Sequence, residues 1–463
     1  MTDQGQGPRD QEPRDQEPRD QEPRDQEPTG GARLTTHEAA ERLGVKPATL
    51  YAYVSRGQLS SRREPGGRGS TFDADDIDAL IRRNRREPLR RTDAAHEIRT
   101  GVTLIDGDRC WFRGVDAVEL ARSHHYEEIA DWLWTGELRT GIRFTAPPPV
   151  LAAARRAVDS LPPGSGSADR LRVAAIAAAV MDPLRFDLGR DTVLTAARML
   201  IPTLVDALPE AGPGPERVRP ARSGPAEEPI TAQTAEEPIA ARLWRRLTAK
   251  APDEPSLRAL DLALSLLIDH DLAASTLAVR VAASARAHPY AVVSAGLGAL
   301  EGPLHGAASG LAHRMLAEVL ERGSAAAVVA DHLRAGRRVP GLGQRLYTGR
   351  DPRAEALFEA LARIPAARAA LDAVRAVEAA TARRMELHAN VDLALAALSV
   401  ASGMAAEAGE TVFAVARTAG WIAHALEEYG ERPLRLRPTG HYTGPRPPVP
   451  LPTPTPSPYP APR

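Results

Sequence analysis

The sequence is poor in several features that would otherwise define its class. It has one cysteine, Cys110, so an internal disulfide framework is excluded, as is usual for proteins of a reducing compartment. No apolar run reaches the length of about 18 residues that a membrane span requires. The N-terminal segment is polar, so a cytoplasmic protein without a membrane partner is expected. A formal net charge of −1 provides no general attraction to nucleic acid or anionic lipid.

The 41 prolines are largely concentrated in three segments, which mark the boundaries of the folded regions. Residues 1–31 contain a Pro-Arg-Asp-Gln-Glu repeat at residues 8–28, residues 209–238 form a polar insertion, and residues 445–463 form a proline-rich tail. Because such compositions have little apolar surface to bury, we predict that all three are disordered. The rest of the chain is rich in Ala, Leu and Arg, which favours helices, and 463 residues are enough for two or more domains.

Residues 32–86 have the pattern of a helix-turn-helix domain. Thr35 and Glu38 have the spacing of a capping box at the start of a first helix, and Pro47 suits the first turn of a second. This arrangement resembles the DNA-binding head of MerR-type regulators and excisionases, and it predicts a closing helix over residues 72–81.

The same head has a modest excess of basic residues, and Arg62, Arg63 and Arg68 are expected in its wing. An appended helix-turn-helix is also compatible with a packing or assembly module, so the two interpretations stay open. If the head binds DNA, the candidate contacts are Lys46, Thr49, Tyr51, Tyr53 and Arg56.

Residues 261–311 predict the buried centre of the molecule, because two or three helices in this stretch are apolar nearly all round. The stretch contains two histidines, His270 and His305, and His305 falls in a break between two helices. At a helix start the dipole favours a neutral imidazole, which can donate a hydrogen bond to a developing enolate. On residue types alone, two structural histidines in a helical core are the simpler alternative.

The residue order in this stretch resembles the central signature of citrate synthases. Asp-His-Asp-Leu-Ala-Ala-Ser-Thr at residues 269–276 and Gly-Pro-Leu-His-Gly at residues 302–306 carry the resemblance. Over residues 101–444 the other matching segments follow in the family's order. They are a strand hairpin turned at Asp106 and Gly107, Arg113-Gly114-Val115-Asp116, Gly136-Glu137-Leu138, Asp351-Pro352-Arg353, Asn390-Val391-Asp392, residues 416–424, and Arg437-Pro438.

The resemblance implies a mainly α protein, with a two-domain, all-helical citrate synthase-like body behind a small N-terminal winged helix-turn-helix domain. The body is expected to span residues 98–444. Its large domain would contain residues 98–317 and 386–444, and its small domain, residues 318–385, would close over the substrates. A homodimer is expected, with no metal and no resident cofactor, because acetyl-CoA is a substrate in this family.

The resemblance also implies a reaction, the condensation of acetyl-CoA with oxaloacetate to give citrate and CoA. Asp392 would be the base and His305 the donor to the thioester oxygen. Arginine binds carboxylates in bidentate fashion, which suits a dicarboxylate substrate. The implied substrate-binding residues are His270, Arg353, Arg417 and, from the partner subunit, Arg437. The implied CoA-binding loop is Val339, Pro340, Gly341, Leu342 and Gly343.

Gln344 is the main departure from the family, which has Gly-x-Gly-His with a histidine that hydrogen-bonds the keto oxygen of oxaloacetate. Glutamine can donate that bond but cannot carry a charge. We therefore count Gln344 among the catalytic residues and expect a slow synthase, accelerated by Gln344→His. Two alternatives are a 2-methylcitrate synthase that uses propionyl-CoA and a DNA-binding metabolite sensor with weakened catalysis.

Overall fold

The computed structural model divides the chain into two units, Met1–Ala94 and Ala95–Arg463. The described residues are 33–43, 45, 50, 51, 53, 54, 59–63, 70–78, 98–212, 237–302, 305–382, 387–438, 441–449 and 451. Outside them lie residues 1–31, most of the predicted insertion and tail, and Lys46, Thr49, Arg56 and Arg68. Over the described ranges, no helix combines the length and apolarity needed to cross a membrane.

The N-terminal unit, called the head, has a three-stranded antiparallel sheet and a short helix with a buried apolar face. The strand order is β1-β3-β2. The predicted capping box is confirmed, because the Glu38 carboxylate accepts the Thr35 N–H at 2.8 Å and Thr35 Oγ1 accepts the Glu38 N–H at 3.4 Å. The elements are β1 (Arg33–Thr35), α1 (Thr36–Leu43), β2 (Ser61–Arg63) and β3 (Ser70–Asp73). The buried core contains Ala39, Leu50, Leu59, Phe72 and Ile77.

The closing helix of the head starts later than predicted. Phe72 lies in β3 opposite Leu34 of β1 and has no exposed surface, so the prediction that it begins the helix is wrong. The described helical residues start at Ala74, where the Asp73 carboxylate accepts a backbone N–H two residues on. A bulky aromatic side chain alternating with polar neighbours fits the pleated sheet, and Asp73 provides the helix cap.

Two of the five candidate DNA contacts lie on described residues. Tyr51 is 46% exposed, although its ring meets Phe72 edge-on at 6.5 Å between centroids. Tyr53 is half-buried and packs against the core of the head. Tyr51 therefore has surface available to a ligand, whereas much of Tyr53 serves the packing of the head.

The second unit, called the body, begins with the predicted hairpin. Strands β4 (Thr103–Asp106) and β5 (Arg109–Phe112) pair antiparallel, and β6 (Val115–Asp116) extends the sheet. Asp106 pairs with Arg109, so the two turn residues are 107 and 108, one position later than predicted. The Asp116 side chain then accepts the N–H groups of Val118 and Glu119 and starts the first helix of the body.

The rest of the body is helical, as expected from its composition. One short 3₁₀ turn, Pro365–Ala367, interrupts the helices. In chain order they are α2 (Ala117–Ser123), α3 (Tyr126–Thr135), α4 (Pro148–Asp159), α5 (Ser167–Met181), α6 (Arg190–Ala207), α7 (Ile239–Leu247), α8 (Glu254–Leu266), α9 (Ala274–Ser284), α10 (Pro289–Leu300), α11 (Ala308–Arg322), α12 (Ala325–Arg334), α13 (Pro352–Leu361), α14 (Arg368–Ala382), α15 (Val391–Ala401) and α16 (Ala408–Gly430).

Helix α16 runs through the centre of the body, and most of its residues are buried. It packs against α3, α6, α9 and α10, among others. At Gly420 a methyl group would come within 2.1 Å of the Ile268 carbonyl oxygen, so only glycine allows α16 this close to the segment after α8. That segment contains His270, and the close approach brings it beside Arg417 of α16.

The predicted buried stretch corresponds to α8, α9, α10 and the start of α11. Helix α8 is buried along most of its length, as expected. Helix α9 is not apolar and buried all round, because Leu277 and Val281 are each 44% exposed. An exposed apolar stripe on a central helix indicates a surface that another chain could cover.

Candidate active site

Arg353 and Asp351 form a buried ion pair at the start of α13. The Arg353 side chain donates from Nε to Asp351 Oδ1 at 3.0 Å and from Nη2 to Oδ2 at 2.8 Å. Arg353 is 4% exposed to solvent and Asp351 is 1% exposed. Burial opposes the charge on the guanidinium, but the neighbouring Asp351 carboxylate raises the pKa of Arg353. The arginine is therefore cationic and fixed in one orientation.

The same aspartate joins α13 to α15. Asp351 Oδ2 also accepts the Val391 N–H at 3.0 Å. The Asn390 side chain caps α15, because its Oδ1 accepts the Asp392 N–H at 3.0 Å. Two of the matched segments, Asp-Pro-Arg and Asn-Val-Asp, are thus held together by one buried carboxylate.

Asp392 projects from the first turn of α15 beside both central arginines. Burial raises the pKa of its carboxyl to about 6, against the opposing effect of Arg353, with Asp351 adding to the rise and Arg417 opposing it. An aspartate with that pKa is ionised at neutral pH and is a stronger base than an exposed aspartate. The residue type and environment suit proton abstraction.

Arg417 is a buried cation on α16 with unused donors. Its Nε donates to the Leu267 carbonyl at 2.9 Å, while Nη1 and Nη2 have no partner among the described residues. Burial lowers the pKa of Arg417 to about 10, with Asp269 opposing the shift, so the group stays cationic at neutral pH. Because buried donors without partners are costly, the two unused NH₂ groups of the guanidinium indicate a site for an anion.

His305 lies in the break before α11. Its Nε2 is 2.8 Å from Ser275 Oγ at the start of α9, and its ring meets the Phe413 ring edge-on at 5.9 Å. Burial and the charge of Arg417 lower the pKa of His305 to about 4. Burial and the charge of Arg417 therefore favour the neutral imidazole that the sequence predicts.

His270 lies on the segment between α8 and α9. Its Nε2 is 2.8 Å from the hydroxyl of Tyr347. Burial, Arg353 and Arg417 together hold the pKa of His270 well below its usual value. The imidazole is neutral at neutral pH and so carries one donor and one acceptor nitrogen.

The predicted CoA-binding loop, residues 339–343, runs beside the segment that precedes α15. Leu342 pairs with Ala389 in an antiparallel bridge, and Gly341 and Gly343 exchange backbone hydrogen bonds with residues 388–390. Gly341 has φ +77°, and a methyl group there would lie 2.6 Å from Leu393 Cβ, so glycine is required. Val339 is 5% exposed, while the two arginines that precede it, residues 337 and 338, are exposed.

Gln344 does not point its side chain into the arginine cluster. Its Oε1 accepts the Leu346 N–H at 2.5 Å and the Tyr347 N–H at 2.8 Å. Its Nε2 donates to the Tyr347 carbonyl at 2.9 Å. The amide of Gln344, which was predicted to donate to the substrate, thus forms its hydrogen bonds within its own turn.

Arg437 is the one predicted substrate ligand of the body that is not drawn into this cluster. It is exposed, on a segment whose Leu434 N–H donates to the Ser284 carbonyl at the C-terminal end of α9. The site lies at the other end of that helix, where Ser275 meets His305. At 1.5 Å per residue, the two ends are about 14 Å apart.

The structure therefore brings together five of the residues predicted from sequence. Arg417 shifts the pKa values of His270, His305 and Asp392, and Arg353 shifts those of His270 and Asp392. Sequence reasoning missed two members of the site, Tyr347 and Cys110. Cys110 is 1% exposed, and burial raises the pKa of its thiol to about 11. The five residues are Asp392, His305, His270, Arg353 and Arg417.

Comparisons with known proteins cover both units. A family model described as citrate synthase, C-terminal domain, matches residues 94–439, and a helix-turn-helix domain model matches residues 33–85. The citrate synthase of Haloferax volcanii is 31% identical over 363 residues, 74% of this chain and 92% of that protein. The 2-methylcitrate synthase of Shewanella oneidensis is 24% identical over 372 residues, 77% of this chain and 94% of that protein.

The fold has counterparts among solved structures. One is the ternary complex of carboxymethyl coenzyme A and oxaloacetate with citrate synthase from Thermoplasma acidophilum. It aligns with a TM-score of 0.58 at 23% identity and covers 77% of this chain and 96% of that one. At that identity the likeness concerns the fold.

Proposed function

Because the chain belongs to the citrate synthase family of enzymes, we propose that it condenses acetyl-CoA with oxaloacetate to give citrate and CoA. The observation that carries the proposal is the cluster of Asp392, Arg353 and Arg417. A carboxylate with a raised pKa lies beside two buried cations, one of which has two guanidinium nitrogens without a partner in the described part of the chain. That combination suits a base acting next to a bound dianion.

The chemistry divides among these side chains as follows. The Asp392 carboxylate takes a proton from the methyl group of the acetyl thioester, while neutral His305 donates a hydrogen bond to the thioester oxygen. The resulting enol carbon attacks the keto carbon of oxaloacetate, and the keto oxygen gains a proton as it becomes an alcohol. Water then cleaves the thioester, which releases citrate and CoA.

The arginines would bind the carboxylates of oxaloacetate. Arg417 supports this role through its unused Nη1 and Nη2, and Arg353 through its fixed guanidinium plane. We further propose that the loop of residues 339–343 lies against CoA. The exposed guanidinium groups at residues 337 and 338, directly before it, have the charge that CoA phosphates require.

We also propose a homodimer, formed through α5, α9 and α10. Helix α10 packs between the other two, and both neighbours present exposed apolar side chains. Ile176 and Val180 of α5 are 58% and 69% exposed, and Leu277 and Val281 of α9 are each 44% exposed. A monomer rarely leaves several large apolar side chains of neighbouring helices in water, and a second copy would cover them with an identical surface.

The position of Arg437 supports the same dimer. Its segment is bound at the end of α9 away from its own His305, on the helix that carries Leu277 and Val281. An arginine that emerges beside the proposed interface is placed to reach the site of the second copy. The oxaloacetate pocket would then be complete only in the dimer.

Two alternatives have specific support. The likeness to a 2-methylcitrate synthase keeps propionyl-CoA as a candidate acyl donor. The helix-turn-helix match to residues 33–85 supports the alternative of a DNA-binding metabolite sensor.

One experiment separates these functions. Purified protein is mixed with acetyl-CoA or propionyl-CoA, with and without oxaloacetate, and free thiol is followed with a thiol reagent. The proposal expects thiol release that requires oxaloacetate and is faster with acetyl-CoA, and that is lost in Asp392→Ala. Faster release from propionyl-CoA would favour the methylcitrate reaction. No release from either, with oxaloacetate still bound in calorimetry, would favour the sensor.

A further inference from the structure

The turn of residues 344–347 links the family's most altered position to a histidine of the site. Gln344 closes this turn with three side-chain hydrogen bonds to residues 346 and 347, because its Oε1 accepts two backbone N–H groups and its Nε2 donates to one carbonyl. These bonds involve both polar atoms of the glutamine amide. The side chain therefore shapes its own loop and leaves at most one N–H for anything else.

Both ends of the loop are also fixed. Before the turn, the Gly343 carbonyl accepts from Asn390 Nδ2 at 2.8 Å. After it, Asp108 Oδ1 accepts from the Thr348 hydroxyl and the Gly349 N–H, each at 2.7 Å. Because both ends of the loop are held, we infer that the Gln344 side chain determines the conformation of the turn between them.

The turn positions the side chain of Tyr347. Its side chain is 6% exposed, and its hydroxyl is 2.8 Å from His270 Nε2. The Arg353 guanidinium carbon lies 5.7 Å from the centre of the tyrosine ring. Tyr347 therefore stands between the turn and two predicted substrate ligands.

The hydroxyl contact determines which nitrogen of His270 carries its proton. A neutral imidazole has one N–H and one acceptor nitrogen, and the hydrogen bond at one nitrogen fixes the role of the other. A phenol O–H is the better donor and an imidazole nitrogen the better acceptor, so the contact favours Nε2 as the acceptor and Nδ1 as the nitrogen that carries the proton. Among the described residues Nδ1 has no hydrogen-bond partner, which leaves its N–H for a ligand.

We propose that Gln344 is a positioning residue. It holds Tyr347 in the turn, Tyr347 donates to Nε2 of His270, and the proton of His270 is thereby kept on Nδ1 for an oxygen of the acceptor substrate. This role rests on the proposed function for the identity of the acceptor. It replaces the expected direct contact between Gln344 and the keto oxygen, because the amide is already bonded within the turn.

The first test is a kinetic double-mutant cycle. Tyr347→Phe and Gln344→Ala should each lower kcat about tenfold to a hundredfold, since they misalign a donor to developing negative charge without deleting it. Because both act through His270, the double variant should be no slower than the slower single variant. Additive losses would show that Gln344 acts independently of Tyr347 and would overturn the proposal. A rise in kcat in Gln344→His would do the same.

The second test needs no turnover. In protein labelled with ¹⁵N-histidine, the His270 signals are identified by their loss in His270→Gln. The wild type should show a protonated Nδ1 and an unprotonated Nε2. Gln344→Ala and Tyr347→Phe should shift His270 towards the other tautomer or a mixture. A protonated Nε2 in the wild type, or unchanged signals in Gln344→Ala, would refute the assignment.

Two matched variants separate positioning from general loss of structure. Gln344→Glu keeps an oxygen that accepts the two backbone N–H groups and should retain most of the wild-type tautomer. Leu346→Ala alters a side chain of the same turn that is 46% exposed and should change nothing. If the wild type shows no condensation but the expected tautomer, the proposed function fails while the positioning role stands.

Discussion

At the scale of single residues, Asp392 has an environment that opposes its own charge. Burial holds its pKa at about 6, although Arg353 and Arg417 act in the opposite direction. The usual value of an aspartate is about 4. Between those two values the folded protein binds a proton that the unfolded chain has already released, so ionisation of Asp392 destabilises the fold as the pH rises.

The first prediction follows from the loss of stability that ionisation of Asp392 causes as the pH rises. Asp392→Asn should abolish condensation and, at pH 8, stabilise the body by about 1–3 kcal/mol, because one pKa unit corresponds to about 1.4 kcal/mol. The gain should shrink towards pH 5, where the wild-type carboxyl is protonated as well. Thermal unfolding midpoints at both pH values measure it.

Asp253 provides the control, because hydrogen bonds from Ser256 lower the pKa of its exposed carboxyl. Asp253→Asn should give no gain at pH 8. A loss of stability in Asp392→Asn would mean that the ionised carboxylate is favourable in the fold.

The second prediction concerns the pH dependence of the reaction. A base with a pKa of about 6 loses its function on protonation, so kcat/KM for acetyl-CoA should fall tenfold per pH unit below about pH 6. His305, with a pKa of about 4, does not titrate near pH 6, and burial with the two arginines shifts the pKa of His270 downwards as well. A profile that stays flat down to pH 5 would remove Asp392 from the role of base.

At the scale of secondary-structure elements, the Asp351 carboxylate is the connection between α13 and α15. It accepts from the Arg353 side chain and from the Val391 N–H, and all of these groups are buried. Each helix start has its own side-chain cap, since Asp351 also accepts the Arg353 N–H of α13 and Asn390 accepts the Asp392 N–H of α15. The bonds of Asp351 to Arg353 and to the Val391 N–H therefore fix the orientation of Asp392, in the first turn of α15, relative to Arg353.

The third prediction tests this connection. Asp351→Asn keeps an oxygen for the Val391 N–H but leaves Arg353 as a buried charge without its counterion. The free energy of unfolding should fall by about 3–5 kcal/mol, as measured by denaturant titration. The exposed pair of Asp372 and Arg375 is the reference, and Asp372→Asn should change stability by less than about 0.5 kcal/mol. Equal effects in the two variants would contradict the role given to Asp351.

At the scale of the whole molecule, the proposed dimer and the proposed role of Arg437 are one claim. If Arg437 serves the second copy, each site uses Arg417 from one chain and Arg437 from the other. Two inactive variants can then restore activity when they share a dimer.

The fourth prediction is this complementation. Arg417→Ala and Arg437→Ala homodimers should each be nearly inactive. After mixed refolding, heterodimers with one intact site should restore about a quarter of wild-type activity, by the symmetry of the interface. Light scattering should confirm dimers throughout. Absence of recovery with heterodimers present would place Arg437 in its own site.

The fifth prediction concerns the head. If it binds duplex DNA, deletion of residues 1–90 should abolish binding to genomic fragments and leave condensation largely unchanged. Binding by the full chain should weaken steeply with salt, because phosphate contacts release counterions. Full-length Asp392→Ala, inactive but with an intact head, should bind DNA as the wild type does. Failure of the full chain to bind at low salt would leave the head as an assembly module.

Much of this protein follows from local sequence. The helical class follows from composition and apolar periodicity, and the capping box at Thr35 and the hairpin before α2 were predicted because neighbouring residues determine them. The family followed from short segments in a fixed order. Most of them contain a helix cap, a tight turn or a close helix contact, so their residue types can be recognised one segment at a time.

Other features depended on residues far apart in the chain. Tyr347 meets His270 across 77 positions, and the unused donors of Arg417 depend on what surrounds α16. Phe72 became a strand residue because a partner strand was available to bury it. The orientation of Gln344 was settled by its turn, whose ends are fixed by Asp108 and Asn390. Motifs specify residue types, whereas hydrogen-bond partners, burial and pKa depend on how distant segments pack, and only the tertiary structure decided those.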